Sequence, residues 1–111
     1  MVKDLLNKLQ AKEIVFNDVI AFIESKYLHT STAFKNGLQL NDAGQNQGSA
    51  KVLAFAKINN LSKDETLLLF AEHYQSVLDT PEGNDHQNIR QFMINGWDGV
   101  CFEGDVLKLN S

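Results

Sequence analysis

A single cysteine, Cys101, stands in the whole chain, so no internal disulfide can form and cysteine-based zinc frameworks are excluded. A reducing compartment suits such a protein best. Proline occurs once, at Pro81, and charged residues make up only 22% against 43% hydrophobic, a composition that folds rather than staying disordered. No run approaches the ~20 apolar residues that a membrane span needs, and the opening MVKDLLNKLQAKEIVF lacks the apolar core of a secretory signal. Basic residues are outnumbered: ten Lys and Arg face fourteen Asp and Glu, so no global field draws the chain to nucleic acid or to an anionic membrane. The longest basic cluster, Lys51 to Lys57, is only a helical spacing. At 111 residues the chain fits one domain, residues 1–111, that buries somewhat under ~70% of its unfolded surface.

What is present is mostly helical period. Val2, Leu5, Leu6 and Leu9 predict a short amphipathic first helix. Phe16, Val19, Ile20, Ile23 and Tyr27 predict a second, with Asn17 or Asp18 placed to cap its free N–H groups. The pattern fails through HTSTAFKNGLQL, where Asn36-Gly37 between two short apolar pairs signals a two-residue hairpin. A third helix opens at Gly48-Ser49 and runs, nearly all apolar, to Asn59-Asn60. The fourth opens on the Ser62 and Glu65 capping box, and its broad stripe from Leu67 through Phe70 and Tyr74 to Leu78 marks it as the central helix. Thr80-Pro81-Glu82-Gly83 then breaks the chain, and a last helix is expected from about Asn84 to Asn95 with Gly96 as its stop. Val100-Cys101-Phe102 and Val106 to Leu109 predict a small terminal hairpin turned at Glu103-Gly104-Asp105. The expected fold is therefore α+β, mainly α: a compact single-domain bundle of about five helices with one or two short β-hairpins.

Two polar stretches stand out against this frame. Asn41 to Lys51, NDAGQNQGSAK, is amide-rich, holds two glycines and runs straight into the apolar third helix. Its residues either satisfy local backbone groups in Asx-turns or form an anion site, with Gly48 and Ser49 at a helix start and Lys51 adding charge. A nucleotide P-loop is excluded, because the glycines are four apart rather than five, Ser49 precedes Lys51, and no buried strand leads in. Gly83 to Gly99 is the second stretch. Asp85 or Asn84 reads as a helix cap, and neighbours at a helix start point about 100° apart, which discourages an Asp85–His86 dyad. His86 and Arg90 lie one turn apart and can share a rim with Asn88. Asn41, Asp42, Gln45, Asn46, Ser49 and Lys51, together with Asp85, His86, Asn88, Arg90 and Trp97, make up the candidate binding face.

Other residues read more plainly. His29 and His73 are distant in sequence from His86, and no histidine or carboxylate group has metal-ligand spacing, so neither a metal nor a cofactor is expected. Trp97 reads as a core or lid residue closing the last helix onto the third, with an indole N–H able to hold a ligand. Cys101, beside Phe102 and without a basic neighbour in sequence, reads as an inert buried thiol.

The chain resembles the HopJ type III effector family. The resemblance rests on Thr32-Ala33-Phe34, Asn36-Gly37, the run Asn41, Ala43, Gly44, Asn46, Gly48, Ser49 and Lys51, Leu61-Ser62, Thr66-Leu67, Leu69-Phe70, Asp85-His86, Asn88-Ile89-Arg90, Phe92-Met93, and Gly96-Trp97 with Gly99. It extends from about Phe16 to Phe102. The resemblance implies a bacterial protein of a plant-pathogen-associated family, made in the cytoplasm and exported by type III secretion, with no family-wide catalytic mechanism. An amphipathic helix beginning by Val2 departs from the flexible polar leader such export uses. Three functions follow as expectations. The first is a non-enzymatic effector-like binding module that engages a protein or small anionic ligand through the polar face. The second is a small enzyme with His86 as general acid/base, oriented by Asp85 or Asp42. The third is a housekeeping protein whose polar loops are structural.

Overall fold

The computed structural model describes residues 2–109, so the extreme ends of the expected domain lie outside it. Helix α1, Val2–Gln10, turns Leu5, Leu6 and Leu9 inward and packs on α4, Lys63–Leu68. Helix α2, Phe16–Lys26, starts two residues earlier than a cap at Asn17 allows: Val15 is the capping residue, and Asp18 secures it from inside by accepting the Val15 N–H at 2.9 Å. Helix α3, Gln47–Ile58, buries Ala50, Val52, Leu53, Ala54, Phe55 and Ala56. With those six residues enclosed, α3 is the central helix, not the one that follows Ser62. An all-round apolar helix can only sit in the middle.

The expected fourth helix is in fact two. α4 starts on the capping box read from sequence, with the Glu65 N–H donating to Ser62 Oγ at 3.1 Å and the Ser62 N–H to Glu65 Oε1 at 2.9 Å. It tightens into three-residue bonds at Leu69, Phe70 and Ala71, then turns at Ala71, whose φ is +51°, into α5, Glu72–Asp79. The physical reason lies in Leu67, Leu69 and Phe70, all nearly fully buried. On a straight helix these three would cover an arc of about 160°, and with the break all of them lie in the core. The described residues consequently form six α-helices, the last being α6, Gln87–Asn95, which ends at Gly96 with φ +59° and runs on into a 3-10 turn, Gly96–Gly99.

The strands also depart from expectation in two ways. β2, Phe34–Asn36, and β3, Gln39–Asn41, form the hairpin, but its loop is Gly37-Leu38 and not Asn36-Gly37. Gly37 takes φ +61° there, and Asn36 becomes the last strand residue with its side chain buried. A one-residue slip reverses every side chain, and that reversal puts Asn36 inside. The terminal hairpin does not form: β4, Val100–Phe102, adds to the open side of β2, whereas β5, Leu107–Leu109, pairs with β1, Tyr27–His29. Phe34 and Phe102 face each other at 5.8 Å, so inward Val100 and Phe102 oblige Cys101 between them to point out. Cys101 is exposed, contrary to the buried thiol expected.

Candidate functional site

A chain of buried amides joins the two polar stretches. Asn41, on the edge strand β3, is 3% exposed, and Asn88, in the first turn of α6, is 5% exposed. Their side chains exchange hydrogen bonds: Asn41 Nδ2 donates to Asn88 Oδ1 at 3.2 Å, and Asn88 Nδ2 donates to Asn41 Oδ1 at 3.0 Å. Asn36 Nδ2 donates to the Asn88 carbonyl oxygen at 2.7 Å and to its Oδ1 at 3.2 Å. Asn46 Nδ2 adds a bond to Asn41 Oδ1 at 2.7 Å. Asn36 Oδ1 is buried without a partner, yet turning that amide over would press its oxygen against the Asn88 carbonyl. Inside a protein such a network is strong where it is satisfied and costly where it is not.

Above this network lies a polar cleft of about 400 Å³. It is lined by Phe16, Gln39, Asn46, Gly48, Ser49, Phe70, His73, His86, Gln87, Asn88 and Ile89. Two helices begin at its wall, α3 after Asn46 and α6 after His86, and neither has a side-chain cap. Both preceding residues adopt positive φ, 53° at Asn46 and 51° at His86. That conformation is uncommon outside glycine and costs of order 1 kcal/mol or more at each position. Its effect here is to leave the N–H groups of Gly48, Ser49, Gln87 and Asn88 without an acceptor among the described residues. Helix starts of this kind attract negative charge.

Aromatic rings form one side. Phe16 stacks with Phe70 at 6.2 Å and meets His73 edge-on at 4.7 Å, and His73 lies 5.0 Å from His86. His73 follows Phe70 by three residues, and both line the same wall. His73 was set apart as distant in sequence from His86, and nothing in the chain pointed to their meeting. On the opposite face of α5 is an apolar hollow, also of about 400 Å³, lined by Leu9, Ile14, Val15, Leu68, Tyr74 and Leu78 among others.

The expected binding face thus divides. Asn46, Ser49, His86 and Asn88 line the cleft, and Asn41 supports it from below. Lys51 does not reach it: its ammonium pairs with Glu24 Oε2 of α2 at 2.8 Å, a contact that holds the Glu24 carboxyl below its ordinary range. Arg90 does not share a rim with His86, because it folds back over the 80–85 loop. Its Nη1 donates to the Thr80 carbonyl oxygen at 2.9 Å, and its Nη2 to Thr80 Oγ1 at 3.2 Å and to Asp85 Oδ1 at 2.6 Å. Asp85 is therefore an ion-pair partner and not a helix cap. Asp42 and Gln45 close the exposed turn before α3, with the Asp42 N–H donating to Gln45 Oε1 at 3.3 Å. Trp97 sits elsewhere, edge-on to Phe92 at 5.0 Å, and its Nε1 donates to the Leu61 carbonyl oxygen at 3.2 Å. It closes α6 onto the turn between α3 and α4.

The Arg90 hydrogen bond is the largest reason that the Asp85 carboxyl sits below the ordinary carboxylate range. A depressed folded-state value means the pair stabilises the fold above the unfolded pKa, and the contribution is lost as pH falls through the folded value. Asp85→Asn is accordingly expected to lower the melting temperature at neutral pH, with the gap to wild type closing as the solution is acidified below the ordinary Asp range. A gap unchanged by acid in thermal melts would refute this account.

Chemically, the cleft offers N–H donors, a hydroxyl, amides and two imidazoles. Ser49 makes no hydrogen bond with either histidine among the described residues, and Asp85 Oδ2 is 3.9 Å from His86 Nε2, past hydrogen-bonding range. No group of three or more His, Cys, Asp or Glu among the described residues could hold a metal ion, and no described helix is long and apolar enough to cross a membrane.

Comparison with known proteins adds kinship without chemistry. A solved structure described as a crystal structure of the unknown-function protein VPA0580 is 42% identical over 99% of this chain and 94% of that one, with a TM-score of 0.90. No curated protein matches. The family model for the HopJ type III effector protein matches residues 2–107, which takes in α1 and β4 and extends beyond the Phe16 to Phe102 span of the sequence resemblance. On that match the chain belongs to the HopJ type III effector protein family.

Proposed function

We propose that this protein is a non-enzymatic binding module whose polar cleft accepts a small anionic group. One observation carries the reading: two helices, α3 and α6, start at one cleft, each preceded by a residue at positive φ and neither capped by a side chain. A polar loop that served only stability would turn its own amides onto those N–H groups, as Asn and Ser do at ordinary helix starts. Here the amides of Asn41, Asn46 and Asn88 bond to one another, and the helix starts stay open.

The acid–base reading has the shared cleft in its favour, since His86 stands beside Asn46 and Ser49. Against it, His86 lacks an orienting hydrogen bond and a nucleophile in contact, both of which such chemistry needs. Type III export, which the family description carries, would bring the cleft to a partner in another cell; a secretion assay against a strain lacking the apparatus decides that point.

Titration with sulfate, followed through backbone amide NMR, tests the binding reading. The expected result is saturable shifts at Gly48, Ser49, Gln87 and Asn88. Replacing Lys51 or Arg90 should leave them in place, because both side chains are engaged elsewhere. Shifts scattered over the surface, or none at millimolar sulfate, would overturn the proposal.

A further inference from the structure

Protonation adds charge to the cleft at the histidines, so His73 and His86 bear on how it binds. Their rings are 5.0 Å apart, both are half-buried, and both line the wall that carries the open N–H groups. We propose that the pair makes anion binding pH-dependent, tightening it as the imidazoles take up protons. The inference rests on the anion-binding reading above and adds its regulation.

The charged groups around the pair decide the sign. From the 80–85 loop, Asp85 Oδ2 approaches His86 Nε2 to 3.9 Å, but Asp85 Oδ1 is held by Arg90 at 2.6 Å. From α5, Glu72 is next to His73; its Oε1 accepts the Phe16 N–H at 2.7 Å, and the residue lines the apolar hollow and not the cleft. The residues that α2, β3, α3 and α4 contribute to the lining, namely Phe16, Gln39, Asn46, Gly48, Ser49 and Phe70, carry no charge. Without a ligand, two imidazolium rings this close repel each other, and Asp85 offsets only part of that. An anion between them and the helix starts relieves the repulsion, so each bound anion favours proton uptake.

Histidine is the side chain whose charge ordinarily changes between about pH 5 and 8. One added charge a few ångströms from the anion at a hydrated surface strengthens binding roughly five- to tenfold. Linkage requires the reciprocal effect, in which the bound anion raises the titration midpoints of both rings.

Sulfate is the probe, because its own charge is constant over that range. Its affinity is measured by amide NMR at about pH 5.5 and about pH 8, and the imidazole signals are titrated with and without sulfate. His29, whose Nε2 contacts Gln47 Oε1 at 3.0 Å outside the cleft lining, serves as internal control. The expected result is tighter binding in acid, with the His73 and His86 midpoints raised and that of His29 unmoved. Equal affinity at both pH values, or unmoved His73 and His86 midpoints, overturns the inference while the anion reading stands. No sulfate binding at either pH overturns both. The double variant His73→Gln and His86→Asn, with asparagine chosen because it tolerates positive φ, should keep residual binding and lose its pH dependence. The wild-type midpoints decide the matter if that variant does not fold.

Discussion

Replacing Phe55 by alanine is expected to cost about 3–5 kcal/mol of stability, the range for removing a large aromatic from a core that cannot collapse around the gap. Phe55 is 1% exposed on the central helix, and two further rings meet it edge-on, Phe22 at 5.9 Å and Tyr27 at 5.8 Å. The residue thus ties α3 to the C-terminal half of α2 and to the start of β1, and its neighbours Leu53 and Ala56 are themselves fully buried. None of these has a route to fill the space without leaving other contacts. For a domain of this size the loss corresponds to a fall in melting temperature of roughly 15 °C or more. Urea unfolding should show the midpoint falling with the slope unchanged. A loss below about 1 kcal/mol would mean that the Phe22 and Tyr27 rings close the gap, contrary to a tightly packed α3.

Much of this core was legible from apolar spacing. The stripe Val19, Ile23 and Tyr27, the run from Val52 to Ala56, and the inward Ile89 and Phe92 follow from period alone, and Ser62 with Glu65 announced the start of α4. The break at Ala71 was not legible, because no proline or glycine marks it. The hairpin was legible but its register was not, since Asn36 can serve either as a turn residue or as a buried strand end. What decided between them is Asn88, 52 positions away. The pairing of β4 and β5 with different partners is non-local in the same way, although the outward turn of Cys101 could have been read from the alternation of Val100 and Phe102. Two of the candidate site's cations, Lys51 and Arg90, were misplaced because ion pairs with Glu24 and Asp85 are invisible to spacing. The two stretches meet in space, and the amides that join them explain why both are rich in asparagine.

Asn88→Ala tests that joint most directly. The substitution deletes the acceptor of Asn36 Nδ2 and Asn41 Nδ2 and the donor to Asn41 Oδ1, all at positions 5% exposed or less. Asn36 Nδ2 keeps its bond to the backbone carbonyl of residue 88, and Asn41 Oδ1 keeps Asn46. The loss is therefore partial for each partner, and unmet desolvation at the usual ~1–3 kcal/mol for a buried polar group puts the expected cost at about 2–4 kcal/mol. Asn41→Ala should cost a similar amount. The double variant should cost clearly less than the sum, because each single change already removes the paired bonds. Strict additivity in urea unfolding would show that the two amides act separately, and the network would then not be the unit that fixes the cleft. The same variant separates scaffold from site. Asn46 is held by Asn41, and Asn41 by Asn88, so loosening Asn88 frees the residue that starts α3 at positive φ. Under conditions where Asn88→Ala remains folded, sulfate should bind several-fold more weakly, while a Phe55→Ala protein of comparable stability, with its network intact, should bind as wild type does.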